Sequence, residues 1–270
     1  MAVMRRVLTP ATGAVGKGGG GEGGAEVSVA EALRGLLLED LVNVPSWCRA
    51  QMNMRRFRDE CCYIQDVDAT FREWESSLRA IYRVYSGGDG AIGDEMHSNK
   101  LMDVAEWRTL LRDVQLMDES IRPKEATLIF VLSRMRVVDE RPVTSKARLC
   151  QLTFEDFLEA LVRMSTVKVL PTQEQVFDNG CDSAFDFILG MREGGGEEYA
   201  AFVRLSMQPW NAPLREPIYQ MLECLCSMIM STIEHELMRE RQNETRKSNS
   251  RISDKEVALF RKQCQKRYGS

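Results

Sequence analysis

The chain has 270 residues, of which 44% are hydrophobic and 28% are charged, and its formal net charge is −4. This composition is ordinary for a globular protein, and a slightly acidic chain is not expected to bind nucleic acid or an anionic membrane. The longest apolar stretch, 218–237, is interrupted by three glutamates and a histidine, so no segment is expected to span a bilayer. We therefore expect neither a nucleic-acid partner nor a membrane partner.

The cysteines and histidines give no reason to expect catalysis or metal binding. The eight cysteines include no Cys-x-x-Cys pair, and several fall within apolar helical patterns, which is typical of unpaired thiols in a reducing compartment. His97 and His235 have no metal-ligand spacing to a cysteine. A catalytic dyad would have to pair Cys61 or Cys62 with His97, and no neighbouring motif supports it. We predict that the chain is not an enzyme and has no cofactor.

The N-terminal part of the chain predicts a tail followed by a short helical segment. Residues 1–27 are rich in glycine and poor in apolar side chains, so they cannot offset the entropy of ordering and are predicted to be disordered. The absence of acids before Glu22 leaves a mitochondrial targeting sequence as the alternative. Residues 28–66 begin with a capping box, Ser28-Val29-Ala30-Glu31, and continue with leucines at helical spacing. This leucine helix is predicted to pack on its own domain, or else on a partner.

The segment 67–170 predicts four helices arranged as a helix-loop-helix pair. The first has a strong amphipathic pattern from about Asp68 to Tyr85. The second begins at Asp103, the third has Pro123 in its first turn, and the fourth begins at Thr153. One loop would join the first helix to the second, and another would join the third to the fourth.

Two of these helix starts share a sequence signature. Each has an apolar residue ahead of a capping box, then an acid followed by an aromatic residue. The two segments are Leu101-Met102-Asp103-Val104-Ala105-Glu106-Trp107 and Leu152-Thr153-Phe154-Glu155-Asp156-Phe157. This order is typical of the second half of an EF-hand, so we predict that Met102 and Leu152 lie side by side where two loops pair. We also predict that Trp107 and Phe157 point inward against other aromatics, namely Phe71, Trp74 and Phe130.

The calcium ligands that should precede each acid are mostly missing. An EF-hand loop supplies side-chain oxygens at fixed positions and has a glycine at its sharp turn. In the first loop His97 takes a ligand position and Lys100 replaces the glycine, which leaves as weak calcium candidates Glu95, Asn99 and Glu106. The corresponding positions of the second loop hold Ser145, Ala147, Leu149 and Cys150. We therefore expect no bound metal and a structural role for both loops.

Further helices are predicted beyond the pair. The segment 171–240 is predicted to contain helices over 173–191, 197–207 and 214–240. The segment 241–270 contains another capping box, Ser253-Asp254-Lys255-Glu256, which predicts a basic C-terminal helix or tail. The predicted fold class is therefore all-α, with a degenerate EF-hand-like helix-loop-helix pair followed by additional helices.

Basic side chains near the C-terminus are candidates for binding an acidic partner, because clustered positive charge attracts acidic protein surfaces. They are Arg239, Arg241, Arg246, Lys247, Arg251, Lys262, Lys266 and Arg267. The alternative interpretation is that these residues form only a solvated helix face.

Four segments within 70–165 also carry a resemblance to a known family. They are Gly93-Asp94-Glu95-Met96-His97-Ser98-Asn99-Lys100, then 107–118, 128–135 and 152–161. Together they resemble the tubulin polymerisation-promoting protein family and, more broadly, the degenerate EF-hand-like domains of ciliary and flagellar proteins. The chain differs from that family by an insertion between Arg136 and Arg148, by the lack of the glycine-rich C-terminal motif, and by the helices that follow the pair.

The resemblance implies a non-enzymatic structural or adaptor protein that associates with microtubules or with the axoneme. Its partners would be tubulin, microtubules or axonemal proteins, and its location would be the cytoplasm and cytoskeleton, in a cilium or flagellum. The alternative is a calcium-responsive regulatory protein of the EF-hand class, which would open an apolar groove when calcium binds.

Overall fold

The computed structural model describes residues 54–87, 101–134, 150–194, 196–209, 212–241 and 251–268. Every regular element within these ranges is helical, so the predicted all-α class is confirmed. None of the described helices combines the length and the apolar content that a membrane crossing requires. The predicted tail at 1–27 and the leucine helix that begins at Ser28 lie outside the described residues.

The described α-helices, in chain order, are α1 (Met54–Phe57), α2 (Gln65–Tyr85), α3 (Val104–Asp113), α4 (Pro123–Ser133), α5 (Phe154–Val167), α6 (Gln173–Asp178), α7 (Ala184–Glu193), α8 (Glu197–Ser206), α9 (Ile218–Arg241) and α10 (Asp254–Tyr268). A short π-helix, Arg58–Cys62, follows α1 directly.

The starts of α3, α4 and α5 lie where the sequence predicts them. Asp103 and Thr153 each cap a helix by accepting hydrogen bonds from backbone N–H groups of the first turn, and Pro123 is the first residue of α4. Asp103 and Thr153 accept hydrogen bonds from N–H groups that have no partner within the helix, and Pro123 has no N–H group that would need one. The first helix of the pair, predicted from about Asp68, begins at Gln65.

The single helix predicted over 173–191 is wrong, because the chain forms two helices there. Gly180 lies two residues after the end of α6, and its φ of 65° is in the left-handed region that glycine adopts without strain. The N–H groups of Gly180 and Cys181 donate to the carbonyls of Phe177 and Val176, so these carbonyls at the end of α6 have hydrogen-bond partners. Ser183 then caps α7 by accepting from the N–H of Asp186.

One hydrophobic core joins the helices of the predicted pair to those that follow it. α5 packs against α2, α4 and α9, and its Phe157 and Leu161 are fully buried. α9 also packs against α2, α7 and α10, with Leu225 and Ile233 buried on its apolar face. Because α9 contacts both groups of helices, it holds α7 and α10 beside the predicted pair.

Candidate functional site

The bridge predicted between Met102 and Leu152 is present. The N–H of Met102 donates to the carbonyl of Leu152 at 3.0 Å, and the N–H of Leu152 donates to the carbonyl of Met102 at 2.7 Å. The hydroxyl of Tyr82 on α2 donates to the same Leu152 carbonyl at 2.9 Å. Both bridge side chains are completely buried. These bonds hold the starts of α3 and α5 side by side.

The acids of the two signatures act as helix caps. The carboxylate of Glu106 accepts from the N–H of Asp103 at 2.9 Å, while Asp103 accepts from the N–H of Glu106 at 2.8 Å. Asp156 and Thr153 exchange the same pair of bonds at the start of α5, at 3.0 and 3.2 Å. Each helix therefore begins with a closed pair of hydrogen bonds that needs no bound ion.

The two aromatic residues of the signatures point into the core, as predicted. Trp107 and Phe157 are buried and meet edge to face, with their ring centroids 6.1 Å apart. The indole N–H of Trp107 donates to the carbonyl of Ala126 at 3.0 Å, which joins α3 to α4. α2 supplies Tyr82 to the contact with Phe157, at 5.6 Å. Of the aromatics that the sequence suggested as partners, Phe130 is buried in the core, and two are only partly buried against it, namely Phe71 and Trp74.

The three calcium candidates do not come together within the described residues. Glu95 and Asn99 lie outside the described residues, and the carboxylate of Glu106 faces its own helix start as a cap. In the part of the chain that the structure describes, no group of three or more His, Cys, Asp or Glu side chains is arranged to hold a metal ion.

The basic residues predicted to bind a partner have different environments. Arg246 and Lys247 lie outside the described residues, as does the side chain of Arg241. The exposed members are Arg239, Arg251, Lys262, Lys266 and Arg267. Arg267 also binds Glu236 on α9 through both guanidinium nitrogens, at 3.1 and 2.6 Å, so part of its charge is already neutralised.

The predicted basic helix, α10, is docked on the protein. Val257, Phe260 and Cys264 are buried on one face of α10, which packs against α2 and α9. At its first turn Asp254 forms a bidentate ion pair with Arg83 on α2, at 2.9 and 2.7 Å. The lysines at 262 and 266 therefore project from a fixed helix, with its apolar face against the core.

A cleft of about 570 Å³ lies beside this helix, bordered by α7 and α9. Its apolar lining consists of Phe185, Ile188, Leu189 and Met228, and its polar lining consists of Gln115, Arg192, Glu193, Thr232, His235, Glu236, Arg239 and Arg267. Two of the predicted partner-binding residues, Arg239 and Arg267, thus meet at one cleft. The sequence did not predict the cleft, because its walls come from segments far apart in the chain. Only its basic residues Arg239 and Arg267 were recognisable as candidates for binding a partner.

One residue at the cleft has an unusual backbone conformation. Gln115 follows α3 with a φ of 56°, the left-handed region that side chains other than glycine rarely adopt. Arg192 donates to its side-chain oxygen at 2.8 Å and to its carbonyl at 3.1 Å. The amide nitrogen of Gln115 in turn donates to Glu236 at 3.4 Å. The N–H groups of Gln115 and Leu116 donate to the carbonyls of Arg112 and Leu111, so the left-handed conformation of Gln115 is a common way for a helix to end.

A buried ion pair between Lys168 and Asp118 contacts α8 through Tyr199. The ammonium of Lys168 donates to Asp118, which also accepts from the hydroxyl of Tyr199 and from Ser120. Burial lowers the pKa of Lys168, and the negative charge of Asp118 opposes part of that shift. The pKa of Asp118 is raised by burial but falls below its ordinary value overall, because the charge of Lys168 and three hydrogen bonds outweigh burial. Lys168 lines a cavity of only about 10 Å³, which is too small for a substrate, so we interpret the pair as structural.

The cleft and the outward face of α10 are the parts of the described surface where predicted partner-binding residues are exposed together. Comparison with protein-family models, curated proteins and solved structures finds no match for this chain. Both features present guanidinium or ammonium groups, and these groups bind carboxylates most strongly.

Proposed function

We propose that the protein is a non-enzymatic structural or adaptor protein of the microtubule cytoskeleton, built on a degenerate EF-hand-like pair and located in the cytoplasm, in a cilium or flagellum. The observation that carries the proposal is the bridge between Met102 and Leu152, which holds the starts of α3 and α5 side by side, each with an acid that serves as a cap. Such a pair is a rigid platform that stays closed without calcium. The resemblance of residues 70–165 to the tubulin polymerisation-promoting protein family gives the platform its proposed partner.

The charge of α10 supports an acidic partner. The helix has five basic and two acidic side chains, and its buried residues Val257, Phe260 and Cys264 face the core. Lys262 and Lys266 are exposed, so an acidic surface can approach them without displacing any helix. Charge attraction of this kind steers association and weakens as salt is added. Tubulin, whose surface is acidic, is a partner of suitable charge.

Co-sedimentation with microtubules tests the proposal. The intact chain should pellet with microtubules at low salt. A Lys262→Ser/Lys266→Ser variant should pellet several-fold less, because it loses two exposed charges that attract the acidic surface. A matched control is Lys124→Ser/Arg204→Ser, which removes two exposed basic residues from α4 and α8. If the intact chain does not pellet, or if both double variants pellet equally, direct binding through α10 is refuted.

A further inference from the structure

The cleft between α7 and α9 has the length of a short peptide. The α9 residues that line it, from Met228 to Arg239, recur at helical spacing along one face. At about 1.5 Å per residue this face is roughly 16 Å long. An extended peptide rises about 3.3 Å per residue, so four or five residues would fill the cleft. Its volume of about 570 Å³ also leaves room for one large side chain.

The apolar lining of the cleft can accept that side chain. Phe185 and Leu189 are partly exposed on α7, while Ile188 and Met228 are buried beneath them. The ring of Phe185 lies against the ring of His235, with centroids 5.4 Å apart. A methionine side chain is flexible enough to adapt to an inserted group, and an aromatic ring offers it a large contact area.

The charged lining of the cleft is predominantly positive. Three guanidinium groups face two carboxylates, and Glu236 is already bound by Arg267. Arg192 binds the neutral amide of Gln115 and stacks on the ring of Tyr199, so these two contacts leave its positive charge uncompensated. Arg239 is exposed at the end of α9. An occupant with carboxylates therefore complements the rim, and an occupant with a basic residue does not.

The geometry of Gln115 indicates that the rim is organised before any occupant arrives. Its left-handed backbone costs about 1 kcal/mol or more for a residue with a Cβ. The backbone bonds that end α3 support this conformation, and Arg192 and Glu236 add hydrogen bonds to the same residue. The same two side chains line the cleft, so their positions are fixed by the bonds that hold Gln115.

We propose that this cleft binds an acidic peptide segment of the partner protein, with one large apolar side chain between α7 and α9 and carboxylates at Arg192 and Arg239. The proposal rests on the proposed function, because the acidic segment belongs to the microtubule or axonemal partner. It extends that function by assigning a second contact, distinct from the outward face of α10.

Fluorescence anisotropy of a labelled peptide tests this assignment. The probe is a short peptide with one phenylalanine between glutamates, and it is titrated with the full chain. Exchanging the phenylalanine for alanine should weaken binding about tenfold, as expected for an apolar anchor. Exchanging the glutamates for glutamines should weaken it by a similar factor and remove its salt dependence. Equal binding of the phenylalanine and alanine peptides would overturn the proposal.

Two pairs of variants locate the site. Arg239→Ser should weaken peptide binding about fivefold, whereas Arg204→Ser, which removes an exposed arginine from α8, should not change it. Leu189→Glu places a carboxylate in the cleft and should abolish binding, whereas Leu205→Glu, at a residue 88% exposed, should have no effect. Circular dichroism of each variant checks that it is folded. Unchanged binding by both cleft variants would place the peptide elsewhere.

Microtubule co-sedimentation on the same preparations separates this inference from the proposed function. If microtubules pellet the protein but the peptide does not bind, the cleft assignment is wrong and the proposed function stands. If the peptide binds in the cleft but microtubules do not pellet the protein, the cleft assignment stands and direct microtubule binding is refuted.

Discussion

The buried ammonium of Lys168 connects three parts of the chain that are far apart in sequence. Lys168 follows α5, Asp118 lies between α3 and α4, and Tyr199 is on α8. Removing two charges from water is costly, and their attraction offsets this cost only when hydrogen bonds complete the site. Here Tyr199 and Ser120 complete it, and Arg192 stacks on the ring of Tyr199 at 4.6 Å. The pair therefore ties the predicted EF-hand-like region to α8.

Asp118→Asn should destabilise the protein by about 3–5 kcal/mol at neutral pH, because it leaves the buried ammonium of Lys168 without a counter-charge. The pKa of Asp118 is lowered in the folded state, so the native protein binds fewer protons than the unfolded chain at acidic pH. The stability that this carboxylate adds is therefore complete above the unfolded pKa of about 3.9 and is lost as the pH falls through the folded pKa.

Urea titration of both proteins from about pH 6 to about pH 2 measures this effect. The difference in unfolding free energy should narrow below about pH 4. Asp182→Asn, at an exposed residue, is the control and should match the wild type at every pH. A difference that is below about 1 kcal/mol at neutral pH would show that the pair is not important for stability.

At the scale of the elements, the start of each signature helix is stabilised by its own side chains. Thr153 and Asp156 share their bonds at the start of α5, as Asp103 and Glu106 do at α3. Burial raises the pKa of Asp156, and its hydrogen bonds with Thr153 oppose the shift, which is the balance expected of a buried cap. These bonds satisfy N–H groups of the first turn that have no partner within the helix.

Thr153→Ala should lower the unfolding free energy by about 1 kcal/mol, because the N–H of Asp156 loses its acceptor. The loss should be the same in calcium and in a chelator, and calcium should leave the melting temperature of the wild type unchanged. Thr127→Ala is a control within α4, where the threonine bonds only to a carbonyl of its own helix. Thermal unfolding followed by circular dichroism checks both points. A large calcium-dependent rise in melting temperature would favour the calcium-responsive alternative.

At the scale of the whole molecule, the C-terminal helix α10 has two faces with separate roles. Its apolar face covers α2, where Ile252 also donates its N–H to the hydroxyl of Ser77 at 3.0 Å. Its basic face is exposed. Deleting the helix would therefore uncover the core as well as remove charge, so only substitutions on the exposed face separate partner binding from folding.

Phe260→Ala should lower the unfolding free energy by about 3–5 kcal/mol, because Phe260 is fully buried between α10 and the core. Lys262→Ser/Lys266→Ser should change it by less than about 0.5 kcal/mol, as is usual for exposed residues. Guanidinium titration of the two variants measures both values. Equal stability of the two variants would mean that α10 does not contribute to the core.

The sequence predicted the local features of this fold because they depend on neighbouring residues. The caps at Asp103 and Thr153, the first-turn position of Pro123 and the inward direction of Trp107 follow from helix chemistry and helical spacing. The bridge of Met102 with Leu152 was also predictable, because two copies of one signature imply that the loops pair. The division of 173–191 at Gly180 was missed, because a glycine within a helical pattern is only a weak signal of a break.

Only the tertiary structure decided which charged residues meet. The sequence determined an all-helical chain with capped helix starts and a basic C-terminal segment. It did not indicate that Lys168 would bind Asp118, or that Arg239 and Arg267 would border a cleft with Arg192. Those contacts depend on how α9 crosses α5 and α7, and that arrangement is set by the packing of many apolar side chains at once. Helix formation is local and readable from spacing, whereas the cleft and the buried ion pair are consequences of the shared core.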